Sequence, residues 1–194
     1  MPYYIQDIRT VQPEPKKVYL FDTNIWLAVL ESYYKNPQYA PYIKFFGQIS
    51  NLNNGSRIAV VGILLSEIIN RVIRDIYLRE YCQKFSFDYK TIDFKRDYKS
   101  SSSYNTDMIS IFSSISAYHQ HLAFISDNLS QYSTKKLLRN IHPSLDFNDH
   151  MLVKIAQEQS LTLVTNDKDF SVENVEILTT SKELLSISNV HKSQ

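Results

Sequence analysis

Glycine is scarce in this sequence, with three residues among 194. Loops that cradle phosphate groups place several glycines at set spacing, as in GxGxxG or GxxxxGK[ST], and neither pattern occurs here. The single cysteine, Cys82, excludes an internal disulfide and a four-cysteine zinc site. These shortages exclude glycine-loop nucleotide-binding proteins and small proteins that depend on disulfides for stability.

Long apolar runs are also missing. The longest, residues 58–65, has eight residues and includes a glycine, whereas a membrane-spanning helix needs about 20. The first ten residues, MPYYIQDIRT, have no basic segment followed by an apolar stretch, so we expect no secretory signal. Together with a free thiol, this predicts a cytoplasmic protein without a membrane partner.

The overall composition is that of a globular protein, with 43% hydrophobic and 21% charged residues. The net charge is only +1, but the charges are unevenly distributed. Residues 71–140 hold eleven Lys or Arg against seven Asp or Glu, and residues 141–194 hold four against eight. This distribution fits a protein that binds a polyanion with its middle part and cations with its last part. A chance distribution on a solvated surface explains the same numbers.

Short apolar runs rich in β-branched residues predict strands. There are four of them: VYLF at 18–21, RIAVV at 57–61, LTLVT at 161–165 and VEILT at 175–179. Three–four apolar spacing between the runs predicts helices, one over about 63–82 and one that begins near Asn148 or Asp149. Strands alternating with helices predict a three-layer α/β/α fold with a parallel sheet.

The chain length suits one domain over residues 1–194. We expect a helical and loop insertion at about 83–140. Within it, residues 104–140 are predicted to be largely helical.

Acidic residues stand where the predicted strands and helices meet. Because ligands of open parallel sheets bind outside the carboxyl ends of the strands, acids at these positions are candidates for one site. The four candidates are Asp22 after VYLF, Glu67 in the helix after RIAVV, Asp149 at the start of the helix before LTLVT, and Asp167 after LTLVT. Converging carboxylates repel unless a cation compensates them, and Mg²⁺ and Mn²⁺ prefer oxygen ligands. Such an ion orients a phosphodiester and makes a bound water more acidic.

Each acid also has a purely structural interpretation. Asp22, Asp146 and Asp149 have the residue type of helix caps and first-turn acids. Asp167 and Asp169 are common turn residues, and Glu67 fits an exposed helix position. A phosphatase of the haloacid-dehalogenase type is a further alternative, but it needs a second acid where Asn24 stands.

Three segments carry a resemblance to a known family. They are FDTNIWL at 21–27, LSEIINRVIR at 65–74 and DFNDHMLVKIAQEQSLTLVTNDKDF at 146–170. In these segments the chain resembles a PIN-domain ribonuclease, the fold of the toxin in VapBC-type toxin–antitoxin modules. The resemblance implies a four- or five-stranded parallel sheet and an Mg²⁺- or Mn²⁺-dependent endoribonuclease that cleaves single-stranded or loop RNA. The chain departs from the toxins in length, and the extra residues lie mainly between Cys82 and Asn140.

The resemblance also assigns residues. Asp22, Glu67, Asp149 and Asp167 match the catalytic and metal-binding acids, Asn24 and Thr165 match supporting polar positions, and Asp146 and Asp169 are further candidates. It implies an antitoxin protein and a second copy of the chain as partners. A non-catalytic PIN-like protein that binds RNA or a regulatory partner remains the alternative.

Basic residues outside the acidic cluster are the candidate RNA contacts. Arg71 and Arg74 follow Glu67 along its predicted helix, and Lys95 and Arg96 lie in a tyrosine-rich loop. Phosphate groups pair with such side chains, and unpaired bases stack on aromatic rings.

Overall fold

The computed structural model describes residues 4–30, 36–51, 54–127, 130, 132–133 and 143–191. Within these residues, six parallel strands form one sheet in the order β1-β6-β5-β2-β3-β4. The strands are β1 (Tyr4–Asp7), β2 (Val18–Phe21), β3 (Arg57–Val60), β4 (Leu122–Phe124), β5 (Thr162–Val164) and β6 (Glu176–Thr179). The predicted α/β class with a parallel sheet is confirmed.

Helices occupy most of the connections between strands. They are α1 (Thr23–Leu30), α2 (Ala40–Asn51), α3 (Gly62–Val72), α4 (Leu78–Phe85), α5 (Ser102–Ser116), α6 (Phe147–Gln159) and α7 (Lys182–His191). A π-helical turn, Ile73–Tyr77, joins α3 to α4 and gives the long helical stretch expected from the apolar spacing. A short 3₁₀ turn, Pro37–Tyr39, precedes α2. None of the helices in the described ranges has the length and apolarity that a membrane span requires.

The centre of the sheet is the most deeply buried part of the fold. Strand β2 lies between β3 and β5, where Leu20 is level with Ala59 on one side and Leu163 on the other. Its aromatic residues pack against α2, with ring centroids of Tyr19 and Phe45 5.1 Å apart. Because both faces of β2 are buried, VYLF does not alternate polar and apolar residues. The central position of β2 in the strand order places the residue that follows it at the middle of the sheet edge.

Two edge strands were not predicted. Strand β1 has mixed polarity (YIQD), and β4 is only three residues long and ends in Phe124, which is 74% exposed. Edge strands lack neighbours on one side, so their sequences need not be apolar throughout. The sheet therefore has six strands where four or five were expected. The predicted helix over residues 104–140 is wrong at β4, and residues 128–129, 131 and 134–142 lie outside the described residues.

The chain divides into two compact units. The first contains the sheet and spans residues 1–64 and 121–194, and the second spans residues 65–120. The second unit has its own apolar cluster, in which Cys82 is buried and Tyr98 is completely buried. The Tyr98 hydroxyl donates a hydrogen bond of 2.6 Å to Asp107 Oδ2. Burial and, secondly, this carboxylate raise the pKa of Tyr98. The single-domain assignment with an insertion at about 83–140 stays a prediction.

Candidate functional site

Asp22 stands at the carboxyl end of the central strand. Its backbone N–H donates to the Val164 carbonyl on β5 at 3.0 Å, and its carbonyl accepts from Ile25 and Trp26 as α1 begins. The residue is only 4% exposed. The backbone is therefore held by both a strand neighbour and a helix start, and the carboxylate has little freedom to move. Its predicted place directly after a buried strand is confirmed.

Thr165 joins Asp22 to Asp167. The Thr165 hydroxyl donates to Asp22 Oδ2 at 2.9 Å and accepts from the backbone N–H of Asp167 at 2.9 Å. Thr165 is completely buried, so this hydroxyl has no competing water contact at the surface. Two of the predicted acids are thus brought to one edge of the sheet through a predicted supporting residue.

The loop after β5 is linked to the segment before α6. The backbone N–H of Asp169 donates to Asp167 Oδ1 at 2.9 Å, and Ser144 Oγ donates to the Asp169 carbonyl at 2.8 Å. Asp167 is half-buried. These bonds make the turn rigid, and they bring the residues that precede α6 to the same loop.

Asp146 is the N-cap of α6. Its Oδ1 accepts from the backbone N–H of Asp149 at 2.9 Å, and Asp149 lies half-buried in the first helical turn. The capping interpretation of Asp146 is therefore confirmed, and both carboxylates lie where the helix dipole favours negative charge. A ligand role for Asp149 or Asp146 stays a prediction.

Glu67 belongs to the second unit. It is the sixth residue of α3 and is half-buried. The expectation that it joins Asp22 stays a prediction.

The sequence analysis missed Asp127. Its Oδ1 accepts from the backbone N–H of Gly62, the first residue of α3, at 3.0 Å. It follows β4 by three residues, as Asp167 follows β5. The signal was an acid after LAFIS, but a three-residue strand gives too short an apolar run to be recognised.

Most of the predicted RNA-contacting cations already have partners within the second unit. Arg71 Nε lies 2.6 Å from Asp75 Oδ2, Arg74 lies 4.3 Å from the ring centroid of Phe94, and Arg96 Nε lies 2.6 Å from Asp97. Lys95 is exposed, and its amine makes no hydrogen bond or ion pair with the described residues. Their role in RNA binding stays a prediction.

A cavity of about 470 Å³ opens beside Asp167 in the first unit. Its walls come from four parts of that unit: the start of α1, the 3₁₀ turn before α2, the loop after β5 and the start of α7. The lining residues are Asn24, Gln38, Tyr39, Asn166, Asp167, Lys168, Thr180, Ser181, Lys182 and Glu183. The predicted supporting residue Asn24 is therefore at this cavity together with Asp167.

A buried tyrosine supports one wall of the cavity. Tyr42 is completely buried, and its hydroxyl lies 2.9 Å from Asn166 Oδ1 and accepts from the backbone N–H of Thr180 at 2.6 Å. Burial raises the pKa of Tyr42, so it stays protonated and donates at neutral pH. These bonds join the loop after β5 to the residue that follows β6.

The oxygen atoms at this edge of the sheet are ligands of the kind that a hard cation prefers. Asp22 and Asp167 present carboxylate oxygens, and Thr23, next to Asp22, has a buried hydroxyl without a hydrogen-bond partner in the described part of the chain. Among the described residues, no group of three or more His, Cys, Asp or Glu side chains is arranged to hold a metal ion. The four-acid metal site therefore stays a prediction.

The chain was compared with protein-family models, curated proteins and solved structures. The family model of the PIN domain matches residues 19–173. Solved structures that match include VapBC2 from Rickettsia felis bound to a DNA fragment from their promoter, with 17% identity, a TM-score of 0.47 and coverage of 84% of this chain and 98% of that chain. No curated protein sequence matches the chain. The family match spans most of the sequence, including both ends of the Asp22–Thr165–Asp167 arrangement, and this chain therefore belongs to the PIN-domain family.

Proposed function

We propose that this protein is an Mg²⁺- or Mn²⁺-dependent endoribonuclease that hydrolyses phosphodiester bonds in single-stranded or loop RNA in the cytoplasm. PIN domains are generally nucleases, which supports hydrolysis of a nucleic acid. The observation that carries the proposal is the buried Asp22 carboxylate, bound by Thr165 next to Asp167 at the carboxyl edge of the sheet. Carboxylates gathered at this edge are suited to a cation, and a cation is suited to phosphate.

Each residue has a defined part in this proposal. Asp22 and Asp167 hold the cation, and Glu67 and Asp149 complete its ligands. Thr165 keeps the Asp22 carboxylate oriented through its hydroxyl, while Asn24 supports the cluster from the first turn of α1. When bound, the metal ion supplies Lewis-acid activation of water and neutralises charge on the phosphate. Lys95, Arg71, Arg74 and Arg96 attract the RNA backbone from outside the cluster.

The proposal includes a toxin role, with an antitoxin protein as partner and a homodimer as the assembly. The resemblance of the acidic segments to VapBC-type toxins supports it. If the role is correct, expression of the protein alone inhibits growth, and co-expression of a small antitoxin from the adjacent gene restores it. Growth inhibition that persists in Asp22→Asn protein would contradict a toxin that acts by cleavage.

The Asp22→Asn substitution tests the nuclease directly. It removes the charge of the buried carboxyl but keeps an oxygen that accepts from Thr165. We expect loss of RNA cleavage with an unchanged or higher melting temperature, because repulsion within the acidic cluster falls. Cleavage is measured by sequencing RNA ends after incubation with Mg²⁺, and in parallel with EDTA.

Asp88→Asn is the matched control. Asp88 is exposed in the second unit, and its Oδ1 accepts from the backbone N–H of Lys90 at 2.9 Å, which an asparagine oxygen also does. This variant should cleave like the wild type. If the purified Asp22→Asn protein cleaves normally, Asp22 has no catalytic role. If the wild type binds RNA but never cleaves it, the non-catalytic alternative is correct.

A further inference from the structure

The cavity beside Asp167 is polar and nearly balanced in charge. Asp167 and Glu183 contribute two negative charges to its lining, and Lys168 and Lys182 contribute two positive ones. Both lysines lie close enough to Glu183 to lower the pKa of its carboxyl. A site with balanced charge has no strong preference for an anion over a neutral polar group.

The start of α7, which borders the cavity, already has hydrogen-bond acceptors that the protein itself supplies. Glu183 accepts a hydrogen bond from its own backbone N–H and another of 3.0 Å from Ser181 Oγ, and these bonds hold its pKa below the usual value. Ser181 Oγ also accepts from the backbone N–H of Leu184 at 3.4 Å. The first turn of α7 therefore has an internal carboxylate where a phosphate would otherwise bind. This makes the cavity a poor phosphate site.

Amide side chains are the distinctive feature of the lining. Asn24, Gln38 and Asn166, whose side chains end in carboxamides, are all among the residues that line the cavity. The Oδ1 atom of Asn166 lies within hydrogen-bond distance of the hydroxyls of Tyr42 and Thr180, at 2.9 and 3.2 Å, so its Nδ2 remains the donor. The side chains of Asn24 and Gln38 make no hydrogen bond with the described residues. Carboxamides pair donor and acceptor with the edges of nucleobases. Tyr39, which is mostly buried, is also among the lining residues.

We propose that this cavity receives one unpaired nucleoside of the RNA substrate, and that its amides read the edge of the base. The inference rests on the proposed nuclease function. It extends that function by assigning base selectivity to Gln38 and Asn166. The volume of about 470 Å³ lies within the range of small-molecule sites, which begins at about 300 Å³. Because Asp167 lines the same cavity, the bound nucleoside is next to the phosphodiester that is cleaved.

Binding of short RNAs tests the base-reading role apart from cleavage. The probes are pentaribonucleotides that carry A, C, G or U at each position in turn, and affinity is measured by fluorescence anisotropy in EDTA with Asp22→Asn protein. We expect one position at which the preferred base binds more tightly than the others. Adding Gln38→Ala should reduce that preference by about threefold to tenfold, the effect of one hydrogen bond. Gln38→Glu, which replaces a donor by an acceptor, should change which base is preferred.

Gln159→Ala is the matched control, since Gln159 is exposed at the end of α6 and lies outside the cavity. It should leave the preference unchanged. Equal loss of affinity for all four bases in Gln38→Ala, or no base preference at any position, would overturn the proposal. Cleavage that depends on Asp22 without any base preference leaves the nuclease intact and removes the base-reading cavity. Base preference in a protein that never cleaves RNA would keep the base-reading cavity and contradict the nuclease function.

Discussion

At the residue scale, Thr165 is the side chain on which the arrangement of the acids depends. It contacts the Asp22 carboxylate and the backbone of Asp167 with one hydroxyl, and it is completely buried. A threonine at the end of a buried strand looks ordinary in the sequence because β-branched residues are common there. Its polar partners, however, are 143 and two residues away along the chain.

The Thr165→Val substitution keeps the shape of this side chain and removes the hydroxyl. Asp22 Oδ2 then loses a donor in a buried position, and the Asp167 N–H loses an acceptor in a partly buried one. We expect a decrease in the free energy of unfolding of about 1–3 kcal/mol and slower RNA cleavage. Urea unfolding at pH 7 measures the first effect. Thr165→Ser keeps the hydroxyl and should retain more stability and cleavage than valine. Equal values for the two variants would show that the hydroxyl is unimportant.

At the element scale, the start of α6 combines two acids with different surroundings. Asp146 is exposed and caps the helix through the backbone of Asp149, whereas Asp149 is half-buried in the first turn. The sequence correctly indicated a helix start near residue 148. It left open which acid caps the helix, because capping depends on backbone geometry as well as on residue type.

Substitutions of Asp146 separate capping from a direct role in the site. Asp146→Ala removes the cap and should lower the free energy of unfolding by about 1 kcal/mol. Asp146→Ser restores a side-chain acceptor without a carboxylate, so stability should largely return. If Asp146 acts only as a cap, the serine variant also cleaves RNA like the wild type. Thermal unfolding and cleavage assays of both variants provide the measurement, and a serine variant that is stable yet inactive would assign Asp146 a direct role.

At the scale of the whole molecule, the charges are divided along the chain. The second unit, residues 65–120, holds eight Lys or Arg against seven Asp or Glu, and half of the positive excess over residues 71–140 comes from residues 121–140. The acids of the candidate site lie mainly in the first unit. Within the second unit, ion pairs already occupy Arg71 and Arg96, so the positive charge available to RNA is smaller than the sequence count suggests. Exposed Lys95 is the best placed of the predicted contacts to pair with a phosphate.

Reversal of two charges tests the RNA-binding role of the loop. If Lys95 and Arg96 each neutralise a phosphate, the Lys95→Glu and Arg96→Glu double variant should bind single-stranded RNA more weakly. The slope of log affinity against log salt should decrease in magnitude by about 1.4. A salt titration of binding measures it. The control is the Lys44→Glu and Arg57→Glu double variant, which makes the same change in net charge at two exposed residues of the first unit. It should decrease the salt slope less than the loop variant does. Equal slopes for the two double variants would contradict a specific role of the loop.

The fold class and the most buried strands could be predicted from the sequence because central parallel strands are apolar on both faces. VYLF, RIAVV, LTLVT and VEILT all coincide with observed strands. The edge strands could not be found in this way. Neither could Asp127, since its position after β4 has meaning only once that strand is recognised.

The sequence by itself determined which residues end the central strands, since local runs of apolar side chains decide where a buried strand stops and where a carboxylate follows it. Only the tertiary structure decided that Thr165 binds Asp22, because the strand order places β5 beside β2. It also decided that four separate segments line one polar cavity, and that Arg71 and Arg96 form ion pairs with neighbouring carboxylates. Hydrogen bonds and ion pairs act over a few ångströms in space, and distance along the chain does not reveal that proximity.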